Sequence, residues 1–246
     1  MVDFVVQRPA RRVVMIVMTA VALGLLAFAA DFIDGFVVQQ VVTALVSSGL
    51  AWGLAALLVG RTASDRRGAV VGATVLLVSA TLVYYLLILV VSRRWSGGSL
   101  VDGSSADWYG LRSLAVMTAA WLLVSAVVGP SLGLLGWMTR TAPAPSAAVA
   151  AGAGCGLLSG QGWQEIVIPT GPWSLWAVGS PDAVFHRGVS TAELVEVIVP
   201  LAVLAWLVTR RRLWHAWPVL FIATLVTATL SALSWHLLRT AADHLG

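Results

Sequence analysis

Seven ionisable residues lie at or inside the ends of long apolar segments. They are Asp31, Asp34, Glu165, Glu193, Glu196, His236 and Arg239. Ionised groups at membrane depth are costly, and they commonly bind ions, carry protons or contact a ligand. A carboxylate in such surroundings would receive a cation, a proton or an amine. We therefore treat these seven as candidate ligand-binding residues and assign no catalytic residue.

Two pairs of acids have the spacing of neighbours on one helix face. Asp31 and Asp34 are three residues apart after the first apolar run, and Glu193 and Glu196 are three apart where the sixth begins. Residues three or four apart lie side by side on a helix. Glu196 is the strongest candidate because valine and isoleucine surround it, and Glu165, also beside isoleucine, follows.

A plainer interpretation of these residues stays open. The helix dipole stabilises acids at a helix N-terminus, which would explain Glu193 and Glu196 without any ligand. The other candidates would then be ordinary helix ends in water or among lipid headgroups. His236 and Arg239 are also placed to pair with the acids across a bundle.

Other chemistries lack their residue patterns. The histidines do not have metal-binding spacing, and Gly154 and Gly156 lack the lysine and hydroxyl residue of a phosphate loop. Ser159, in Leu-Ser-Gly-Gln-Gly, gives with His236 only a weak serine-hydrolase pattern. We predict no metal, no nucleotide and no other cofactor, and an intramembrane enzyme is the least favoured function.

Composition indicates the elements that must position these residues. The chain has 246 residues, of which 59% are hydrophobic and 11% charged. Soluble domains are about 45–50% apolar and about 25% charged. The composition excludes a soluble enzyme, a disordered chain and a small disulfide scaffold, and it predicts a membrane protein. The basic residues are all arginines in short clusters, without the continuous basic face of a nucleic-acid binder.

Seven apolar runs approach the length of about 20 residues that a membrane-spanning helix needs. They cover residues 13–30, 41–60, 69–92, 114–138, 147–168, 194–209 and 217–238. The runs lack the alternation of barrel strands. The predicted fold class is all-α: a polytopic transmembrane helix bundle of six to seven spans, forming a single transmembrane domain over residues 1–246.

Charge distribution predicts the orientation. With the N-terminus in the cytoplasm, ten of the fifteen arginines fall on the inner side and five on the outer side. An excess of arginine in cytoplasmic segments favours this orientation. Ten arginines against two acids give +8 inside, and five against nine give −4 outside. We predict a multi-pass protein of the plasma membrane with an acidic outer face.

Small residues and tryptophans indicate how the spans pack. Gly129-x-x-x-Gly133 in the fourth run, with Pro130 between, and a series of glycines in the fifth run allow close helix contacts. Four tryptophans inside the runs are interpreted as packing residues. They are Trp52, Trp121, Trp206 and Trp235.

Several short motifs are similar to those of one protein family. They are Ser47-Ser48-Gly49-x-x-Trp52-Gly53, Tyr84-Tyr85, Gly129-Pro130-x-x-Gly133, Gly160-Gln161-Gly162 before Glu165, and Arg210-Arg211-Arg212 after a leucine-rich span. Over roughly residues 15–240 the chain resembles a family of actinobacterial multi-span integral membrane proteins of unknown function. The resemblance implies a multi-span membrane protein from such a source and carries over no activity.

Two functions from different classes follow. The first is a transporter-like or substrate-capturing membrane subunit with an outward-facing acidic cavity. Active transport would use an ion gradient or a separate ATPase docked on the arginine loops at Arg61–Arg67 or Arg210–Arg212. The alternative is a non-catalytic accessory or scaffold subunit of a larger membrane complex, whose small-residue faces bind partner helices. Membrane lipids are further predicted partners, and nucleic acid is not.

Overall fold

A computed structural model describes residues 3–33, 36–46, 49–99, 104–167 and 183–245. Side chains are described in these ranges except at residues 3–10, 36, 37, 40, 44, 165, 167, 183–190, 238, 239 and 241–245. Apart from one bridge between Ser99 and Ser105, the regular structure of this part is helical. The predicted all-α class is therefore confirmed.

Eight α-helices follow one another along the described chain. They are α1 (Asp3–Ala30), α2 (Phe36–Val46), α3 (Leu50–Thr62), α4 (Arg66–Leu87), α5 (Asp107–Thr141), α6 (Ala144–Val167), α7 (Ala183–Arg211) and α8 (Trp217–Leu245). A π-helical turn, Ile88–Ser92, extends α4, and a 3₁₀ turn, Leu213–Ala216, connects α7 to α8. Both α5 and α7 begin earlier than the apolar runs that predicted them.

Five helical segments are long and apolar enough to cross a membrane. They are Arg11–Ala30, Arg66–Ser92, Asp107–Thr141, Thr191–Arg211 and Leu213–Leu237. These segments correspond to the predicted first, third, fourth, sixth and seventh runs. The fifth run forms α6, whose 24 residues make it about 36 Å long, but its many glycines and polar residues lower its hydropathy.

The predicted second run is two helices instead of one. α2 ends at Val46 and α3 begins at Leu50, and Gly49 before α3 has a φ of 87°. This left-handed conformation favours glycine because a Cβ would crowd the backbone. α2 packs on α7, whereas α3 packs mainly on α4 and α5, so the two helices have different neighbours.

Apart from α2, the helices pack as two groups. One group contains α1, α3, α4 and α5, and the other contains α6, α7 and α8. In the first group, a Cβ built on Gly129 would lie 2.7 Å from Thr74 Cα, and one on Gly133 would lie 2.8 Å from Ala73 Cβ. The close contact predicted for Gly129 and Gly133 is confirmed, and its partner is α4.

A second glycine face brings α6 against α8. Gly152, Gly156 and Gly160 recur every four residues along this contact. A Cβ on Gly152 would lie 2.7 Å from the carbonyl oxygen of Leu220, and one on Gly156 would lie 2.6 Å from that of Thr224. The two backbones therefore touch, as the glycines of the fifth run predicted.

The helix termini define two ends of the bundle. At one end, α3, α5 and α7 finish and α4 begins, and we call it the arginine end. Its described arginines include Arg12, Arg61, Arg140, Arg210 and Arg211. At the opposite end, α1 and the π-helical turn finish and α5 begins, and Asp31 pairs there with Arg94.

Candidate functional site

A cavity of about 350 Å³ lies where the two helix groups meet. Its walls come from α3, α4 and α5 on one side and from α6, α7 and α8 on the other. Most of the lining is apolar. The polar and aromatic side chains on it are Trp52, Trp121, Ser125, Ser131, Gln161, Glu196, Ser231 and Trp235. Cavities of this size between the helices of a bundle are typical small-molecule sites.

Glu196 is the acid on this wall within the described part of the chain. It is only 6% exposed. Because α7 begins at Ala183, Glu196 lies in the helix interior, beyond the first turn where the dipole acts. The dipole explanation left open for Glu196 is therefore excluded. Gly162 of α6 makes room for it, since a Cβ there would lie 2.9 Å from Glu196 Cβ.

Three tryptophans surround the same space. Trp52 comes from α3, Trp121 from α5 and Trp235 from α8. Aromatic faces attract cations, and indole does so most strongly. The Nε1 of Trp52 is buried and has no hydrogen-bond partner among the described residues. Sequence analysis interpreted all three as packing residues, although an indole N–H inside an apolar run signals a need for a polar contact.

Hydroxyl groups fix the walls of the cavity. Ser125 of α5 shares a buried hydrogen bond with Thr81 of α4, with 3.2 Å between the two oxygens. Ser231 of α8 donates to the carbonyl oxygen of Leu157 in α6 at 2.9 Å. One bond connects α4 with α5 and the other connects α6 with α8, so each helix group is tied together beside the cavity.

The cavity borders the apolar outer surface of the bundle. Val127, on the α5 part of the wall, is 69% exposed, and Val124 and Leu157 are exposed as well. The edge of the cavity between α5 and the α6–α8 pair therefore lies on the side of the bundle, among exposed apolar side chains.

Asp31 lies outside this cavity. α1 ends at Ala30, so Asp31 belongs to a turn and not to the helix face predicted for it with Asp34. It pairs with Arg94 at 2.9 Å and accepts from the Tyr84 hydroxyl at 3.4 Å. A smaller cavity of about 130 Å³, lined by Tyr84 and Trp52, lies between Asp31 and the main cavity.

The remaining candidates are not on the described cavity wall. Glu193 lies one turn before Glu196 and is half-buried, and His236 is half-buried beside Trp235. The predicted acidic cavity is thus, in the described residues, an apolar cavity with one carboxylate. Three candidates lie outside the described structure: Asp34 and the side chains of Glu165 and Arg239.

Ser159 and Cys155, two nucleophilic side chains of α6, are both buried. Ser159 is fully buried and its hydroxyl donates to the carbonyl oxygen of Gly156 in its own helix, at 3.1 Å. Cys155 is buried on the same helix. Across the described ranges, no group of three or more histidine, cysteine or acidic residues could hold a metal ion.

Comparison with known proteins adds no relative. No protein-family model, no curated protein and no solved structure matches the chain. What the described structure defines is an all-helical protein with five segments suited to crossing a membrane and a cavity between two helix groups.

Proposed function

We propose that this protein is a transporter-like or substrate-capturing membrane subunit that binds an amphipathic cation in the cavity between its two helix groups. The observation that carries this proposal is Glu196, a buried carboxylate on an apolar wall that also presents three tryptophans. A ligand that fits has apolar bulk for the lining and a positive group for the carboxylate and indole faces. Hydrophobic amines and quaternary cations have both properties.

The sideways opening supports capture from the membrane. The exposed side chains of Val127 and Leu157 at the cavity edge would be covered by lipid tails. A cation with large apolar substituents concentrates in the bilayer, so it would enter between helices without crossing either polar end of the bundle. Direct entry from water would instead favour a small hydrophilic ion, which the apolar lining does not suit.

We propose the number and direction of the membrane crossings together with this function. Five apolar segments, α6 and the α2–α3 pair give six to seven crossings. The arginine end would face the cytoplasm, with the N-terminus, in a multi-pass protein of the plasma membrane. Glu196 then lies in the outer half of α7, which accords with an outward-facing site. The similarity to actinobacterial membrane proteins noted from the motifs is part of this proposal as well.

Transport needs an energy source beyond the cavity. An ion gradient would supply it, or a separate ATPase would dock on the arginine end at Arg61–Arg67 or Arg210–Arg212. Arg66, Arg67 and Arg210 are exposed there and would meet an acidic partner surface. Without such a partner the chain acts as the capturing subunit.

A non-catalytic accessory or scaffold subunit is the alternative function, but its contact surface differs from the predicted one. The glycine faces of α5 and α6 pack inside this chain, and Gly24 of α1 packs on Val83. A partner helix would therefore use another surface. An apolar groove of about 760 Å³ between α4 and α5, with Leu86 and Trp108 on its walls, has the dimensions for one.

Binding of tetraphenylphosphonium to the purified protein in detergent tests the main proposal. This probe is a hydrophobic cation, and calorimetry gives its Kd. Glu196→Gln keeps the shape of the side chain and removes its charge. We expect this variant to bind at least about tenfold more weakly, which corresponds to about 1.4 kcal/mol.

Two controls isolate the effect of the charge on the cavity wall. Glu193→Gln removes a charge from the same helix, one turn away and off the wall, and should bind as the unchanged protein does. Tetraphenylborate has nearly the same shape with the opposite charge, and we expect no saturable binding. Equal binding of the two ions, or equal losses in the two variants, would contradict the proposal.

A further inference from the structure

Four arginines converge at the arginine end, independently of the cavity. Arg61 lies in the last turn of α3, Arg140 in the last turn of α5, and Arg210 and Arg211 in the last turn of α7. Burial, followed by the charges of Arg211, Arg210 and Arg140, lowers the pKa of Arg61. The guanidinium groups of Arg61 and Arg210 also lie over the same ring, that of Trp206.

The acceptors that hold these arginines are neutral. Arg61 donates to the Thr139 hydroxyl at 3.0 Å, and Arg211 donates to the Ala142 carbonyl oxygen at 3.4 Å. Arg140 donates to the carbonyl oxygen of Ala63. In the described ranges the ion pair that forms is Arg94–Asp31, at the other end of the bundle. In the described ranges, no carboxylate therefore lies within ion-pair distance of these four arginines.

Apolar surface adjoins the cluster on the side of the bilayer. The guanidinium carbons of Arg61 and Arg210 lie 5.3 and 5.6 Å from the centre of the Trp206 ring. Trp206 is 44% exposed and lies one turn before Arg210, and Leu58 is 41% exposed one turn before Arg61. Arg61 and Arg210 thus each have an exposed apolar side chain one turn away, on the side of the hydrocarbon.

We propose that this cluster binds the phosphate of an anionic phospholipid headgroup, with an acyl chain lying on Leu58 and Trp206. Guanidinium forks bind phosphate oxygens through paired, charge-assisted hydrogen bonds. Basic pockets between membrane helices recognise anionic headgroups in this way. A free phosphate ion would satisfy the arginines but would leave the adjoining apolar surface unused, so the lipid is the better match.

Lipid retention measured by native mass spectrometry tests this site. The protein is purified in mild detergent, delipidated and supplied with phosphatidylglycerol or phosphatidylcholine. We expect retention of phosphatidylglycerol to exceed that of phosphatidylcholine at least about tenfold. The double variant Arg61→Gln/Arg210→Gln should lose this preference. The control Arg66→Gln/Arg67→Gln, which removes two exposed arginines from the same end, should keep it.

Three results would overturn the proposal. One is equal retention of the two lipids, and another is an equal loss of preference in both double variants. The third is displacement of the lipid by millimolar inorganic phosphate, which would assign the cluster to a free anion. Because Arg61 also donates to Thr139, the double variant could misfold. In that case the single variant Arg210→Gln is tested instead, because the described contact of Arg210 is with the exposed Trp206 ring. A preference unchanged in that variant would count against the site.

Discussion

A carboxylate on an apolar wall acts differently from one in water. Around Glu196 the surroundings screen charge weakly, so attraction to a nearby cation is stronger than for an exposed acid. Burial of a charge is also costly, and a cation placed beside the carboxylate would offset part of that cost, in addition to the interaction that Glu196 already makes. Glu193 lies three residues earlier and is only half-buried, so water screens its charge more and the cost of burying it is smaller. The proposed selectivity for cations therefore depends on Glu196.

Asp31→Asn should leave binding of tetraphenylphosphonium unchanged. Asp31 is held by Arg94 and Tyr84 outside the main cavity wall. Arg94 is 46% exposed, so solvent screens the pair and its loss should cost less than about 1 kcal/mol. Calorimetric titration and a melting curve of the variant check both statements. A tenfold weaker Kd would place Asp31 in the binding site and contradict this assignment.

Single residues differ in how far the sequence reveals their roles. Glu196 stands out because valines flank it on both sides. The sequence alone leaves the helix-dipole explanation open, and the start of α7 at Ala183 removes it. Trp52 and Trp235 could not be identified, because an indole inside an apolar run packs against neighbours as readily as it lines a cavity. Their role depends on helices that are distant in sequence and meet only in the fold.

At the scale of elements, the contact between α6 and α8 predicts a strong steric effect. In Gly156→Leu the new side chain would overlap the Thr227 hydroxyl, and its Cβ would lie 2.6 Å from the Thr224 carbonyl oxygen. The helices would have to separate, and overpacking of this kind costs about 1–3 kcal/mol. We expect the melting temperature in detergent to fall by at least about 2 °C.

The matched control for this variant is on the same helix. Val149→Leu enlarges a side chain of α6 that is 42% exposed. Its melting temperature should stay within about 1 °C of the unchanged protein, as is usual for surface substitutions. If both variants melt at the same temperature, the close approach of α6 and α8 is wrong.

Hydropathy located the helices better than it located their ends. The run 41–60 is apolar on average, so hydropathy joins α2 and α3 across Ser47, Ser48 and Gly49. The break before α3 depends on the backbone conformation of Gly49. α7 reaches back to Ala183, well before the apolar run that predicted it. An apolar run marks the part of a helix that suits hydrocarbon, and polar turns extend the helix beyond that part.

At the scale of the whole molecule, the proposed orientation predicts opposite labelling of the two ends. Ser64, at the arginine end, and Ser99, at the opposite end, are both exposed. A membrane-impermeant maleimide added to intact cells should label Ser99→Cys, and Ser64→Cys only after permeabilisation. The native Cys155 is buried and should give no background. The reverse labelling pattern would place the N-terminus outside.

The assembly of the helices was the least predictable feature. The glycines showed that α5 and α6 make close contacts, but not that Gly133 meets α4 or that Gly156 meets α8. Lipid-facing and buried positions are both apolar in such a bundle, so hydropathy does not show which face of a helix contacts another helix. The cavity between the two helix groups depends on those pairings, and for this reason only its acid was predicted.

The most direct measurement is a structure of the protein with tetraphenylarsonium, because anomalous scattering locates its arsenic atom. We predict an arsenic peak inside the cavity bounded by Trp52, Trp121 and Trp235, within about 6 Å of the Glu196 carboxylate. In crystals of Glu196→Gln grown with the same ion, the peak should be lost. An arsenic peak only on the outer surface, or one that persists unchanged in the variant, would contradict cation binding at Glu196.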